Sequence, residues 1–161
     1  MQQNIIYIFL LILIQACTHS KYVPEDFGFR IETETTIINS FDSSYTVHYI
    51  DSNSVVKLNF SKNEMNKIYN IFLKNRLDNL PTILKPTCDN STPPIFTTRF
   101  DFRINARYYQ TEYASTCKDD YLNFLTRNRI KRIDSCINFI RSILKTKQEI
   151  EKMASSDLVF K

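Results

Sequence analysis

The side chains best suited to chemistry in this 161-residue chain are its four cysteines and two histidines. Nucleophilic catalysis needs an activated serine or cysteine beside a base, which is most often a histidine. His19 lies in a polar segment near the amino terminus and is expected to be solvated. His48 is the other histidine, and the sequence does not identify a serine or cysteine that would be its catalytic partner. We expect His48 to be an ordinary strand residue, and it stays the one candidate for a catalytic base.

Acidic residues could supply paired carboxylates for acid–base catalysis or oxygen ligands for a metal. The strand-borne candidates are Glu32, Glu34, Asp101 and Glu112. We expect these four to face solvent, with cross-strand partners available in Arg30, Arg99 and Arg103. Asp119 and Asp120 are adjacent but lack further spaced oxygen ligands, so helix capping explains them better than calcium does. The sequence therefore predicts no metal site and no cofactor.

The composition argues against several functional classes. The chain has 21 basic and 17 acidic residues and a net charge of +4. This balance is too mild to predict a nucleic-acid-binding domain. Gly28 is the single glycine, which excludes the glycine-rich loops that hold phosphates in nucleotide sites.

The amino terminus carries a targeting pattern. Residues 5–14 are all apolar, a run shorter than the roughly 20 residues of a membrane span but within the 7–15 of a signal peptide. The run leads into Ile14-Gln15-Ala16-Cys17, in which a small residue precedes the cysteine and a branched aliphatic residue stands three positions before it. This pattern resembles the lipobox of bacterial lipoproteins. A secretory signal without lipidation and a buried apolar strand or helix are the alternatives.

In bacterial lipoproteins the signal peptide is cut before the cysteine, whose sulfur carries a diacylglyceryl group. The resemblance implies a signal peptide at 1–16 and lipid on Cys17. The polar composition after Cys17 predicts a short tether at 17–26, and the remaining length suits a single domain at 27–161. The resemblance also places the protein at a membrane of a bacterial cell envelope, on the periplasmic or cell-surface side. Each buried acyl methylene contributes about 0.8 kcal/mol, so several acyl chains hold a protein stably.

The other three cysteines divide by position. An exported protein reaches a compartment in which disulfides persist. Cys136 lies between Ile133 and Ile137 on an apolar stripe, so we expect it in the core. Cys88 and Cys117 come just before and just after a predicted hairpin, and we predict a disulfide between them. Their spacing does not match a zinc site.

Alternating apolar residues predict five strands in an antiparallel sheet with one buried face. The apolar series are Phe27, Phe29 and Ile31; Tyr45, Val47 and Tyr49; Val56, Leu58 and Phe60; then residues 96–104 and 107–113. Taking 105–106 as a two-residue turn sets Phe102 opposite Tyr109. Asn105 suits the positive φ of such a turn, whereas Ala106 does not.

Two amphipathic helices are predicted to cover that face. Ser61 and Glu64 form a capping box that starts the first helix, which should end near Asn75. The longer, C-terminal helix should begin at Asp119 or Asp120, and its apolar stripe is Ile130, Ile133, Ile137, Ile140 and Leu144. Its other face carries Arg129, Lys131, Arg132, Arg141 and Lys145. We expect this basic face to be solvated rather than bound to lipid or an acidic partner.

The sequence thus predicts an α+β domain with an anchor and no catalytic set. Its order of elements loosely resembles small cell-envelope lipoproteins of unknown activity, which implies no site residues. We expect a non-enzymatic binding module that uses its sheet face or the proline-rich loop 82–94. The alternatives are an immunity or inhibitor-type lipoprotein that blocks a hostile enzyme, and a hydrolytic envelope enzyme based on His48.

Overall fold

The computed structural model describes residues 22–85, 96–114 and 123–158. The predicted signal peptide, Cys17, the Cys88–Cys117 pair and Asp119-Asp120 lie outside these ranges. Among the described residues, the α+β prediction is confirmed. The strands are β1 Gly28–Glu32, β2 Thr36–Asn39, β3 Ser44–His48, β4 Asn53–Lys57, β5 Ile83–Leu84, β6 Thr97–Ile104 and β7 Arg107–Ala114. The helices are α1 Lys62–Lys74, α2 Phe124–Leu144 and α3 Gln148–Glu151, with a 3₁₀ turn at Leu77–Asn79.

The described strands form one sheet in the order β4-β3-β2-β1-β6-β7-β5. Five of the seven overlap predicted strands, while β2 and β5 were missed. The strand predicted over 56–60 shares only its first two residues with β4, which ends at Lys57. The strand β2 has two adjacent isoleucines instead of an alternating pattern, and β5 is only two residues long, inside the loop predicted at 82–94. The sheet is mixed rather than purely antiparallel, because β5 pairs with β7 in parallel.

The two long helices pack on the same face of the sheet, as predicted. On that face Phe102 is directly paired with Phe29 on one side and with Tyr109 on the other. The ring of Phe72 on α1 meets that of Phe102 edge-on at 4.6 Å. The predicted stripe of α2 is buried from Ile133 onwards, and the core residues there are Ile133, Cys136, Ile137, Ile140 and Leu144. Helix α2 is the longest, as expected, and no helix in the described ranges is long and apolar enough to span a bilayer.

The helix starts show one correct and one wrong prediction. Glu64 N–H donates to Ser61 Oγ at 3.2 Å and Ser61 N–H donates to Glu64 Oε2 at 2.7 Å, which confirms the capping box. Helix α2 is capped by Asn123, whose Oδ1 accepts the Thr126 N–H at 2.8 Å, and not by Asp119 or Asp120. Asparagine caps as well as aspartate. The first two residues of α2 are exposed, so its apolar stripe does not mark its start.

The β6–β7 hairpin has the predicted register, with Phe102 opposite Tyr109 and Arg99 opposite Glu112. Asn105 and Ala106 both take positive φ, at 50° and 61°. The Asp26 carboxylate accepts hydrogen bonds from both turn N–H groups, at 3.1 and 2.6 Å. These bonds lower the pKa of Asp26, with the bond from Ala106 contributing most. They hold the turn despite the cost of a left-handed alanine.

Replacing Ala106 with glycine is expected to raise the free energy of unfolding by about 0.5–1 kcal/mol. A left-handed conformation costs a non-glycine residue about 1–2 kcal/mol, which exceeds the roughly 0.5–1 kcal/mol that glycine loses in chain entropy. Urea denaturation measures the change. The matched control is Ala114→Gly at the end of β7, which should lower stability because a strand gains nothing from glycine. Destabilisation by both substitutions would contradict the prediction.

Ordered contacts begin inside the segment expected to be the tether. Val23 packs against the core, and Phe27 is buried against Tyr69 and Phe72, with ring centroids 5.0 and 5.4 Å apart. Together with the Asp26 bonds, these contacts fix where the chain enters the domain. The entry point lies beside the hairpin turn and the C-terminal half of α1.

Candidate functional site

His48 has a structural partner. It lies opposite Asn53 across the β3–β4 pair, and its Nδ1 is 2.7 Å from Asn53 Oδ1. The Ser156 hydroxyl donates to the backbone oxygen of His48 at 2.5 Å and not to its ring. The described contacts therefore tie β3 to the C-terminal segment and provide no nucleophile for this histidine.

Three of the four predicted acidic residues, Glu32, Asp101 and Glu112, come together on the face of the sheet opposite the helices. We call this the outer face and define it by nine positions in three rows across β1, β6 and β7. The rows are Gly28, Arg103 and Tyr108; Arg30, Asp101 and Gln110; Glu32, Arg99 and Glu112. Each row joins residues that are directly paired, so Asp101 occupies the centre. Glu34 was predicted on a strand, which is wrong, because it lies in the turn between β1 and β2, where its Oε1 accepts the Thr97 N–H.

Asp101 was expected to face solvent, and this is wrong, because only 1% of the residue is exposed. Arg99 Nε donates to Asp101 Oδ2 at 2.8 Å. An aspartate is short, and its neighbours on this face are arginines and a tyrosine whose longer side chains keep water away from it. Burial, followed by the hydrogen bond and the charge of Asp101, raises the pKa of Tyr108.

The arginine ion pairs of the outer face run along the strands, whereas cross-strand pairs had been expected. Arg30 Nη2 lies 2.8 Å from Glu32 Oε2, and the Arg99–Asp101 pair has the same two-residue spacing. Side chains two residues apart on a strand lie on the same face, and arginine is long enough to bridge them. Glu112 pairs with Lys85 at 2.9 Å. The predicted charges are thus largely neutralised within the face.

Two polar atoms at the centre are left without a partner among the described protein groups. They are Asp101 Oδ1, a hydrogen-bond acceptor, and Arg30 Nε, a donor. Their residues are directly paired across β1 and β6. Buried polar groups in proteins almost always have a hydrogen-bond partner. Both atoms are covered by their neighbours, so a molecule on the outer face reaches them only if those side chains move.

Exposed apolar groups surround the charged rows. Tyr108 is 51% exposed, Ile83 on β5 is 64% exposed and Val55 on β4 is 62% exposed. At one corner, Phe41 lies over Gly28, where an added Cβ would come within 2.4 Å of its ring, and the guanidinium group of Arg103 lies over the same ring at 5.5 Å from its centroid. The only glycine of the chain thus makes room for an aromatic ring on this face.

A second charged surface lies between the C-terminal end of α1 and the first half of α2. We call it the basic groove; it has a volume of about 660 Å³. Its described lining residues are Lys74, Asn75, Arg76, Asn79, Leu125, Asn128, Arg129, Lys131 and Arg132. Five of these nine are basic and none is acidic. Arg129, Lys131 and Arg132 had been predicted on a solvated basic face of α2. Their proximity to Lys74 and Arg76 was not predicted.

Arg132 joins the two sides of the basic groove. Its Nε and Nη2 donate to the backbone oxygens of Asn75 and Arg76, which end α1. Burial lowers the pKa of Arg132, and the positive charges of Arg76 and Arg129 lower it further, whereas the carboxylate of Asp78 opposes this shift. The guanidinium groups are thus close enough to repel one another.

Metal chemistry has no evident site in the described ranges, where no cluster of three or more His, Cys, Asp or Glu residues could hold an ion. Cys136 is fully buried, as predicted, and burial raises the pKa of its thiol to about 12. No protein-family model matches this chain, and no curated protein matches its sequence. Its function is therefore inferred from the residues and their geometry.

Proposed function

We propose that this chain is a lipid-anchored protein of a bacterial cell envelope that binds another protein through the outer face of its sheet. The observation that carries the proposal is the half-exposed Tyr108, which shares that face with the buried Asp101, whose carboxylate holds Arg99 at 2.8 Å. A partner would contact Tyr108 and the guanidinium group that Asp101 keeps in place. The role is binding rather than catalysis.

The composition of the outer face favours a protein partner. Tyrosine and arginine are the residues most enriched at the energetic centres of protein interfaces. Here Tyr108 is half exposed beside Arg99 and Arg103, with the aliphatic Ile83 and Val55 at the margins. Seven strands at about 4.8 Å spacing make a surface about 29 Å wide, which is wide enough for an interface of ordinary size.

The proposed anchor suits a binding role at a membrane. Six residue steps separate Cys17 from Val23, the first core contact. A fully extended chain spans at most about 3.6 Å per residue, so this tether reaches about 20 Å. A lipid on Cys17 would therefore keep the entry point of the domain near the bilayer surface.

Site-specific photo-crosslinking in living cells tests the proposed partner. A photoreactive amino acid at position 108 of the full chain is expected to give one discrete protein adduct. The control is the same probe at Asn70, an exposed position on α1, which should give none. Adding Asp101→Asn, which keeps the side-chain shape but removes the charge, should weaken the adduct at position 108.

Two outcomes would contradict the proposal. One is a set of adducts shared by positions 108 and 70, since it would reflect unspecific contact. The other is an adduct at position 108 that Asp101→Asn leaves unchanged, because the partner would then not use the centre of the outer face.

A further inference from the structure

We infer that the basic groove binds the phosphate-bearing headgroups of anionic phospholipids and thereby seats the domain on the bilayer surface. The orientation of the domain in this inference rests on the proposed anchor. The affinity of the basic groove for phosphate depends only on the residues that line it. The basic groove then provides a second, electrostatic membrane contact in addition to the lipid on Cys17.

The lining of the basic groove suits phosphate. Three arginines and two lysines converge there without a described carboxylate. Arginine binds phosphate oxygens in a forked, two-bond geometry, and lysine adds a point charge. The amides of Asn79 and Asn128 are further hydrogen-bond donors at the same surface, while that of Asn75 donates to the Ile71 carbonyl oxygen. A bound anion would offset the repulsion of Arg132 by Arg76 and Arg129.

Apolar side chains flank these charges where helix α2 begins. Phe124 is 73% exposed and Leu125 is 65% exposed, and Leu125 also lines the basic groove. An aromatic and an aliphatic side chain next to lysines and arginines is the composition of helices that lie at membrane interfaces. The predicted stripe of α2 remains in the core, so a different part of the helix provides this apolar contact.

The basic groove lies at the end of the domain that the tether enters. Phe27 contacts Phe72, which is two residues before Lys74. A tether of about 20 Å from a lipid on Cys17 would hold this end of α1 close to the headgroups. Each basic residue near an anionic surface contributes about 1 kcal/mol, and a soluble phosphate would gain nothing from this placement.

Vesicle sedimentation tests the inference. The protein is the mature chain 17–161 carrying Cys17→Ser, so that no lipid is attached. It is expected to bind vesicles of phosphatidylcholine with one-quarter phosphatidylglycerol, to bind pure phosphatidylcholine weakly, and to dissociate as salt is added.

The decisive variant is Lys74→Gln with Arg76→Asn. Asn tolerates the left-handed conformation of residue 76, which has φ of 50°, so the fold should persist, as circular dichroism will show. Loss of two charges should weaken binding about 25-fold, at about five-fold for each charge. The control Lys57→Gln with Lys62→Gln removes the same net charge from exposed sites elsewhere and should change binding by less than about two-fold, since distant charges are screened.

Equal losses in the two double variants, or equal binding to neutral vesicles, would overturn the inference. Displacement by inorganic phosphate at constant ionic strength would assign the basic groove to a soluble phosphate ligand instead. Binding of a single-stranded oligonucleotide without vesicle binding would likewise assign it to nucleic acid. The lipid-free protein tests the basic groove alone, so failure here leaves the proposed anchor to be judged by lipid labelling in cells.

Discussion

Replacing Cys17 with alanine is expected to abolish incorporation of labelled palmitate into this protein. The lipid of bacterial lipoproteins is joined through the cysteine sulfur, which alanine lacks. The loss should be complete rather than partial, because the amino terminus is exposed for acylation only after cleavage before the lipidated cysteine. Labelling in growing cells, followed by immunoprecipitation, measures the effect.

The controls for lipidation are the other cysteines of the chain. Cys136→Ala should keep full labelling, because its thiol is buried. The wild-type protein should give an amino-terminal peptide that begins at Cys17 and carries the mass of the lipid. Palmitate that still enters the Cys17→Ala protein would show that the lipobox interpretation is wrong.

The predicted Cys88–Cys117 disulfide should stabilise the protein by about 3–4 kcal/mol, the chain-entropy contribution of a closed loop of roughly 30 residues. The hairpin between the two cysteines supports this pairing. Thr97 at the start of β6 is directly paired with Ala114 at the end of β7, so the two described ends of the hairpin are adjacent. Cys117 follows Ala114 by three positions.

Single and double variants separate the disulfide from ordinary side-chain effects. In urea denaturation without reductant, Cys88→Ala, Cys117→Ala and the double variant should lose the same stability, since either single change breaks the bond. Cys136→Ala should instead add its own loss to each of them. A peptide linking Cys136 to either partner in unreduced digests would disprove the pairing, and so would additive losses for Cys88 and Cys117.

Elements specified by neighbouring residues were predicted well. The capping box of Ser61 and Glu64 needs only a three-residue spacing, and the structure has both of its hydrogen bonds. The hairpin register follows from a turn at 105–106 and the alternation on each side. In both cases the interactions that decide the structure join residues close in sequence, so the pattern of residue types contains the information.

Short elements and side-chain burial were predicted less well. The strand β2 is four residues long and gains its pairing from β1 and β3 on its two sides. The burial of Asp101 was missed because alternation assigns a residue to a face but does not show how far its neighbours cover it. A short carboxylate among longer side chains is hidden even without a helix above it.

By itself, the sequence determined the α+β class and the residues of the core face, and it predicts a targeting signal that ends at Cys17. Periodicity and short motifs decide these features, because they depend on spacings of a few residues. Only the tertiary structure decided the two surfaces on which the proposals depend. The outer face aligns β1 with strands some 70 residues later, and the basic groove joins the end of α1 to α2 through Arg132. Such surfaces arise when packing of the apolar faces brings distant segments together, and the charged residues then meet wherever the core has placed them.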